Sequence, residues 1–485
     1  MLKSLCRAAR APCLAQSTIS RAPALCIRAR FFSPCTARLN AAVTLDPSAS
    51  VAPNANPSGF KRIEDAYPLM KQAHVEDGKT EQPGRKVGYW LLGTAGLVYS
   101  IVVLGGLTRL TESGLSITEW KPVTGSVPPL NQAQWEAEFD LYRQSPEFKI
   151  LNADLSLEDF KFIYNMEWSH RQLGRTIGLV FAVPALALIA TKRYPIRFKL
   201  KLAGIASLIG FQGFIGWWMV RSGLDEDITT PRVSQYRLAT HLGTAFVVYL
   251  SMLHTGLTLL APSNPALGQA TPKALTGLPI FQRAVLAFGA LTYLTALSGA
   301  FVAGLDAGLI YNDFPYMGNS YIPPINELKD RTLPSLGAPR VGFASTEPAP
   351  SEFKVWIHNM FENPVLAQLD HRILAMTTFT AGWGLLALAI LGARRGRLPK
   401  TATTGAAWMA GLVSMQATLG ITTLWYLVPT PLAAAHQAGS LAVLTGVVVL
   451  AAKLRVPAAT RSAMTFTKVA RQQANARAGV MQASS

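Results

Sequence analysis

The chain has 485 residues, half of them apolar, and carries 45 Lys and Arg against 27 Asp and Glu, a formal charge of +18. So much apolar content excludes an ordinary soluble protein of this length and marks a polytopic membrane protein. The positive charge does not call for nucleic acid, because Lys3, Arg7, Arg10, Arg21, Arg28, Arg30 and Arg38 all precede the first acid, Asp46.

In chain order, residues 1–45 are Arg-rich, Ser-bearing and acid-free, with no single apolar core, which is the composition of a mitochondrial transit peptide. Arg30-Phe31-Phe32-Ser33 resembles a matrix-protease cleavage site. All four cysteines (Cys6, Cys13, Cys26, Cys35) lie in this leader, so cleavage near Phe32 leaves at most one thiol. Disulfides and Cys-ligated metals are thereby excluded from the mature chain. Residues 46–84, rich in Pro, Ala, Ser and charge, read as a matrix linker.

Eight apolar runs follow, at 88–108, 171–191, 199–220, 238–260, 282–304, 372–393, 403–425 and 432–453. Each has roughly the twenty residues that a helix needs to cross a hydrocarbon layer of about 30 Å. The basic connections orient them: Arg85 and Lys86 before the first run, Lys192 to Lys201 between the second and third, and Arg394 to Lys400 between the sixth and seventh. These lack acids and belong in the matrix, whereas the WYLVPTP turn carries no charge and the 221–232 connection mixes Arg with Asp and Glu. Both termini then face the matrix. The long segments 109–169 and 305–370 face the intermembrane space. In the first, Trp135, Phe139 and Tyr142 recur at helical spacing and predict an amphipathic helix on the bundle or the interface. A second helix is predicted to start at Ser156, with Asp159 as its capping partner, and to run through Glu167 into the second span.

The two halves repeat. GGLTRLTESGL (105–115) parallels GAFVAGLDAGL (299–309) with its glycines 194 apart, and FQGFIG (211–216) parallels MQATLG (415–420) with Gln and Gly shifted by 204. His241 and His436 lie 195 apart, His170 and His371 201 apart. The expected fold is therefore an all-α polytopic membrane protein whose eight transmembrane helices form two tandem, pseudo-symmetric four-helix bundles, residues 85–262 and 263–456. Residues 457–485 form a basic matrix tail.

His170 and His371 open the second span of each half, and His241 and His436 the fourth, all toward the outer side. Strongly polar groups inside a span are costly and mark function. Two imidazoles at equal depth on facing helices suit the two faces of an iron porphyrin. Zinc or copper fits less well, since each half offers two histidines and no cysteine. His74 and His358 read as solvated, and His254, which has no counterpart, as packing. Arg171 and Arg372 follow the threshold histidines; each suits either a heme propionate or a snorkelling place at the interface. Glu167 lies three residues before His170 on the same helix face, as an unpaired carboxylate by this reading, whereas Gln368 holds the matching place before His371. The second half keeps the shape and omits the acid, so one porphyrin is acted upon and the other only held.

GGLTRLTESGLSITEWKPVTGSVPPL (105–130), MEWSHRQLGRTIGL (166–179), GLDAGLIYNDFPYM (304–317) and LDHRILA (369–375) occur in this order across the spans, and in them the chain resembles the mitochondrial heme A synthase family over residues 84–455. That resemblance implies oxidation of the C8 methyl of heme O to a formyl group, giving heme A for cytochrome c oxidase. It implies that His170 and His241 hold the substrate heme O, that His371 and His436 hold a heme b cofactor, and that Glu167 is catalytic. It also implies the mitochondrial inner membrane, a heme O synthase and a ferredoxin-type electron partner, and leaves room for a homo-oligomer. Cysteine pairs present in the outer loops of some bacterial members are absent here. A di-heme electron carrier and a non-catalytic heme chaperone also account for four histidines, but not for Glu167 opposite Gln368.

Overall fold

The computed structural model describes residues 81–225, 231–333, 335 and 350–462. The expected leader, most of the linker, His74 and the tail beyond residue 462 lie outside them. Eight long helices dominate: α1 (Arg85–Leu110), α2 (Leu157–Ala190), α3 (Ile196–Arg221), α4 (Gln235–Leu260), α5 (Leu278–Gly304), α6 (Pro364–Arg394), α7 (Lys400–Trp425) and α8 (Thr430–Lys453). Among the described residues there is no strand, only an isolated bridge between Met317 and Ser320.

Seven of these helices are long and apolar enough to cross a membrane. The exception is α7, which has the length, 26 residues, but is diluted by Thr, Gly, Ser and Gln. Its small residues serve packing: Ala402, Ala406, Met409 and Val413 are buried in one cluster with Phe288, Leu385, Val443 and Val447. Of the eight expected crossings, seven are long and apolar enough by this measure.

α2 begins at Leu157, well before the apolar run. Ser156 caps it by accepting from the Asp159 amide at 3.2 Å and donating to the Asp159 carboxylate at 2.6 Å. At about 1.5 Å per residue its 34 residues exceed the hydrocarbon thickness by a wide margin, so its polar N-terminal turns extend beyond the apolar run. The helix Gln132–Arg143 packs on that end, with Phe139 and Tyr142 stacked on Phe160 at 4.9 and 5.2 Å between ring centres.

Within each half the helices neighbour one another in a closed ring, α1–α2–α3–α4 and α5–α6–α7–α8. Between halves, α4 meets α5, α8 meets α1, and α4 meets α8. This cyclic pattern is the signature of a two-fold repeat. Matching side chains stitch it: Tyr99 donates to the Ala438 carbonyl at 2.8 Å, and Tyr293, 194 residues on, donates to the Gly243 carbonyl at 3.1 Å. The basic connections share one end, where Arg193 binds Glu81 at 2.6 Å and the Gly277 amide donates to the Arg397 carbonyl. The histidine thresholds lie toward the other.

In the second outer segment, buried Asn359 and Asn363 hold the turn at 327–330 through the carbonyls of Asp330 and Glu327. His358, expected to be solvated, is instead fixed by Ser335 at 2.8 Å and by Glu362 at 3.4 Å. Packing of Glu352–Glu362 over the 328–335 turn brings these groups together, which no local pattern announces.

Candidate functional site

Each of the four threshold histidines lies against a glycine of the preceding helix in its ring. A Cβ added to Gly105 would sit 2.8 Å from Cε1 of His170, one on Gly299 3.1 Å from Cε1 of His371, and one on Gly420 2.8 Å from Cε1 of His436. Gly216 faces His241 at a slacker 3.5 Å. The repeated glycines are therefore seats for imidazole rings, and a side chain at Gly105, Gly299 or Gly420 would press on the ring, whereas Gly216 leaves room for a methyl group. His371 and His436 stand with ring centres 6.3 Å apart and planes 89° apart. An iron bonded to one nitrogen of each ring at about 2 Å, with each ring centre roughly 1 Å behind its nitrogen, calls for a separation of about 6 Å, so the pair fits bis-imidazole ligation. His170 and His241 lie close enough to interact electrostatically. Among the described residues no three His, Cys, Asp or Glu converge as a metal site, which suits two-point ligation of a porphyrin rather than tetrahedral zinc.

The outer nitrogens divide the two clefts. Nδ1 of His371 lies 2.8 Å from Ser298 Oγ, and Nδ1 of His436 lies 3.1 Å from the Gln416 amide, which also donates to the His436 carbonyl at 2.9 Å. In the first half, Nδ1 of His170 and Nδ1 of His241 are buried without a partner. Gln212, the match of Gln416, reaches only the His241 carbonyl, at 3.1 Å.

Glu167 is buried, 3% exposed, and is not the unpaired carboxylate that the sequence suggested. Its Oε1 accepts from Nε and Nη2 of Arg171 at 3.0 and 2.6 Å; its Oε2 accepts from Ser116 Oγ and the Ile117 amide, both at 2.8 Å. The i, i+4 spacing supplies Arg171, and the 113–119 loop supplies the rest. That loop is the SGLSITE stretch that follows α1, folded back over α2. Arg171 also donates to the carbonyls of Ile117 and Glu119, and Arg175 to those of Lys121 and Pro122. In the second half Gln368 and Arg372 both donate to the Tyr311 carbonyl, and Arg372 to that of Tyr316. Positions 117 and 311 are 194 apart, so the same loop is clamped in each half: by an ion pair with backbone bonds in one, by neutral and cationic donors alone in the other. Both arginines thus have a loop-fastening role that neither the propionate reading nor the snorkelling reading foresaw.

Residue patterns had brought the four histidines, Glu167 and the two arginines together. Ser298, Ser116 and the Gln416 side chain were missed as site residues. The repeat would have found two of them, since Leu104 stands where Ser298 does and Gln212 where Gln416 does.

A family model described as "Cytochrome oxidase assembly protein" (COX15-CtaA) matches residues 88–448. Heme A synthase COX15 of Saccharomyces cerevisiae is 48% identical over 386 residues, 77% of this chain and 76% of the relative. Heme A synthase COX15 of Homo sapiens is 45% identical over 399 residues, 80% of this chain and 89% of the relative. A heme A synthase-mitochondrial ferredoxin fusion protein of Schizosaccharomyces pombe is 45% identical over 401 residues, 80% of this chain and 63% of the relative. With a model match spanning all eight long helices and identities far above those of chance, the chain belongs to the COX15-CtaA family of cytochrome oxidase assembly proteins.

Proposed function

We propose that the two histidine clefts divide the work of a heme A synthase, with His170 and His241 binding heme O as substrate and His371 and His436 holding heme b as resident cofactor. The chain is an oxidoreductase that converts heme O to heme A, in keeping with relatives named heme A synthase. Conversion of the C8 methyl to a formyl group takes two successive two-electron oxidations, each adding the oxygen of a water and releasing two protons: the first gives a hydroxymethyl group, the second a hydrated aldehyde that loses water. The observation that carries the assignment is a buried acid, Glu167, one helical turn from His170, with Gln368 at the matching place beside His371.

Resident heme b supplies an electron-accepting centre when bound. The chain's own residues do the rest. The Ser116–Glu119 loop is clamped to α2 by Arg171, which holds it beside Glu167. Glu167 is held in one orientation by four donors, so its charge is fixed beside the cleft rather than swinging free. Such a preorganised carboxylate stabilises positive charge developing at the methyl carbon of heme O. Accepting the methyl-derived proton requires it to release Arg171 first, which ranks electrostatic stabilisation above proton abstraction.

The protein works as a multi-pass protein of the mitochondrial inner membrane, with both termini in the matrix and the clefts toward the intermembrane space, in keeping with the clustering of basic connections at one end. A ferredoxin-type partner accords with the fusion found in the Schizosaccharomyces pombe relative; heme O comes from a heme O synthase. Extraction of hemes from purified wild type, His170→Ala and His371→Ala tests the division. The expected result is selective loss of farnesylated heme from His170→Ala and of heme b from His371→Ala; equal loss of both from either variant overturns it.

A further inference from the structure

The two clefts share histidines and glycine seats, yet differ at the nitrogen that faces away from the metal. Ser298 Oγ donates its single proton to the Thr295 carbonyl at 2.7 Å, so toward His371 it acts as acceptor. That arrangement suits a ring carrying its proton on Nδ1 and presenting the lone pair of Nε2 to the cleft, which is the tautomer that ligation needs. The carbonyl of Thr295 also interacts with this ring, and that of Gln416 with His436. The Gln416 amide steadies the His436 ring whichever way its two ends face, so the tautomer argument rests on Ser298.

The first half keeps the bond from Gln212 to the His241 carbonyl but has no partner at the outer nitrogen of either ring. Aligned on Tyr99 and Tyr293 and on Gly105 and Gly299, the segment YSIVVLG places Ile101 and Leu104 where YLTALSG has Thr295 and Ser298. The apolar pair leaves Nδ1 of His170 orphaned, and Nδ1 of His241 is orphaned too, on its looser glycine. A buried donor without a partner is costly, and an imidazole without an outer acceptor is a weaker and less oriented ligand.

From this contrast we infer that Ser298 is a positioning residue that makes the second cleft retain its heme, and that Leu104 at the matching place keeps the first cleft weakly binding so that substrate and product exchange. Turnover requires one heme to leave after every cycle while the other stays. Matched ligand pairs alone would hold both equally; the outer hydrogen bond separates them. The inference rests on the division of labour proposed above and adds the residue that enforces it.

The test uses full-length purified protein, with excess apomyoglobin as heme acceptor and extraction to identify which heme has left. Ser298→Ala is expected to speed the loss of heme b by about 10- to 100-fold, the usual penalty for removing a ligand's outer hydrogen bond. It should also raise the midpoint potential of that heme, because a less basic imidazole favours the ferric state less. Ser298→Thr, which keeps the hydroxyl, should restore both. Leu104→Ser, placing a hydroxyl beside His170, should slow the departure of heme A or heme O from the first cleft. Wild-type loss rate and potential in Ser298→Ala overturn the inference. Should that variant not fold, unchanged release from Leu104→Ser overturns it alone. If His371→Ala keeps its full complement of heme b, the division of labour itself has failed; if His371→Ala loses heme b while Ser298→Ala behaves as wild type, only the role of Ser298 has.

Discussion

Glu167→Gln separates charge from shape at the proposed catalytic position. The substitution removes an ionised partner from Arg171, whose side chain is 15% exposed against 4% for Glu167. Stripping one member from a buried pair costs about 3–5 kcal/mol when the other is left uncompensated. Arg171 is not left so: it keeps the carbonyls of Ile117 and Glu119, as Arg372 keeps those of Tyr311 and Tyr316 beside Gln368. The second half is thus a working example of the Gln arrangement, and the cost belongs at the lower end, about 3 kcal/mol. The variant should fold, bind both hemes and melt several degrees lower. Loss of a preorganised charge at the reacting centre is worth about 10²- to 10³-fold in rate. The assay is extraction of hemes followed by chromatography, with folded fraction and heme b content measured on the same sample. Accumulation of heme O or the hydroxymethyl intermediate at full heme b occupancy is the expected outcome. Wild-type heme A output from a folded, heme-replete variant refutes the electrostatic role of Glu167.

Gly420→Ala should lower heme b content, because a methyl group 2.8 Å from Cε1 of His436 forces the ring to move at a cost of about 1–3 kcal/mol, while Gly216→Ala, facing His241 at 3.5 Å, should be tolerated; pyridine hemochrome spectra compare the two. Burial pushes the carboxyl of Glu147, in the outer loop, up from 4.5 to about 7, with Glu167 and Glu112 adding to the rise and Tyr142 and Arg109 opposing it. A carboxyl with a raised folded pKa holds its proton more tightly in the folded state, so its contribution is full below pH 4.5 and is lost as pH climbs through about 7. Melting temperature should therefore fall across that window in wild type, and Glu147→Gln should flatten the slope; an unaltered slope counts against the assignment. Asp306 joins Arg109 and Arg232 at 2.6 and 2.7 Å and so links the two halves. These groups are between a fifth and two fifths exposed, and Asp306→Asn should cost only about 1 kcal/mol, a loss that thermal melts should show shrinking at high salt.

Length and order of the apolar runs, the tandem repeat, the four histidines and the Glu167–Gln368 contrast were all legible in the sequence, because each depends on counting along one chain: span length, fixed offset, helical spacing. Hydropathy by itself places only the apolar run from 171, but the Ser156–Asp159 cap marks the true start, and α2 runs from Leu157 as that cap predicts, its first turns packed under Phe139 and Tyr142 rather than in lipid. It also passed α7 as an equal of the others, although that helix is held more by small-residue packing than by apolarity. What only the tertiary structure decided is which helix adjoins which, and so what surrounds each polar group. The ring order puts α1 beside α2 and α5 beside α6, and so brings Ser298 to His371, while the matching place on α1 is Leu104. The fold-back of the 113–119 loop adds Ser116 Oγ and the Ile117 amide to the two donors that Arg171 supplies from the same helix, so that Glu167 is a four-donor carboxylate. Hydrogen-bond partners remote in sequence leave no period to read; they exist only once backbone geometry has set distances of three ångströms between residues 50 or more apart.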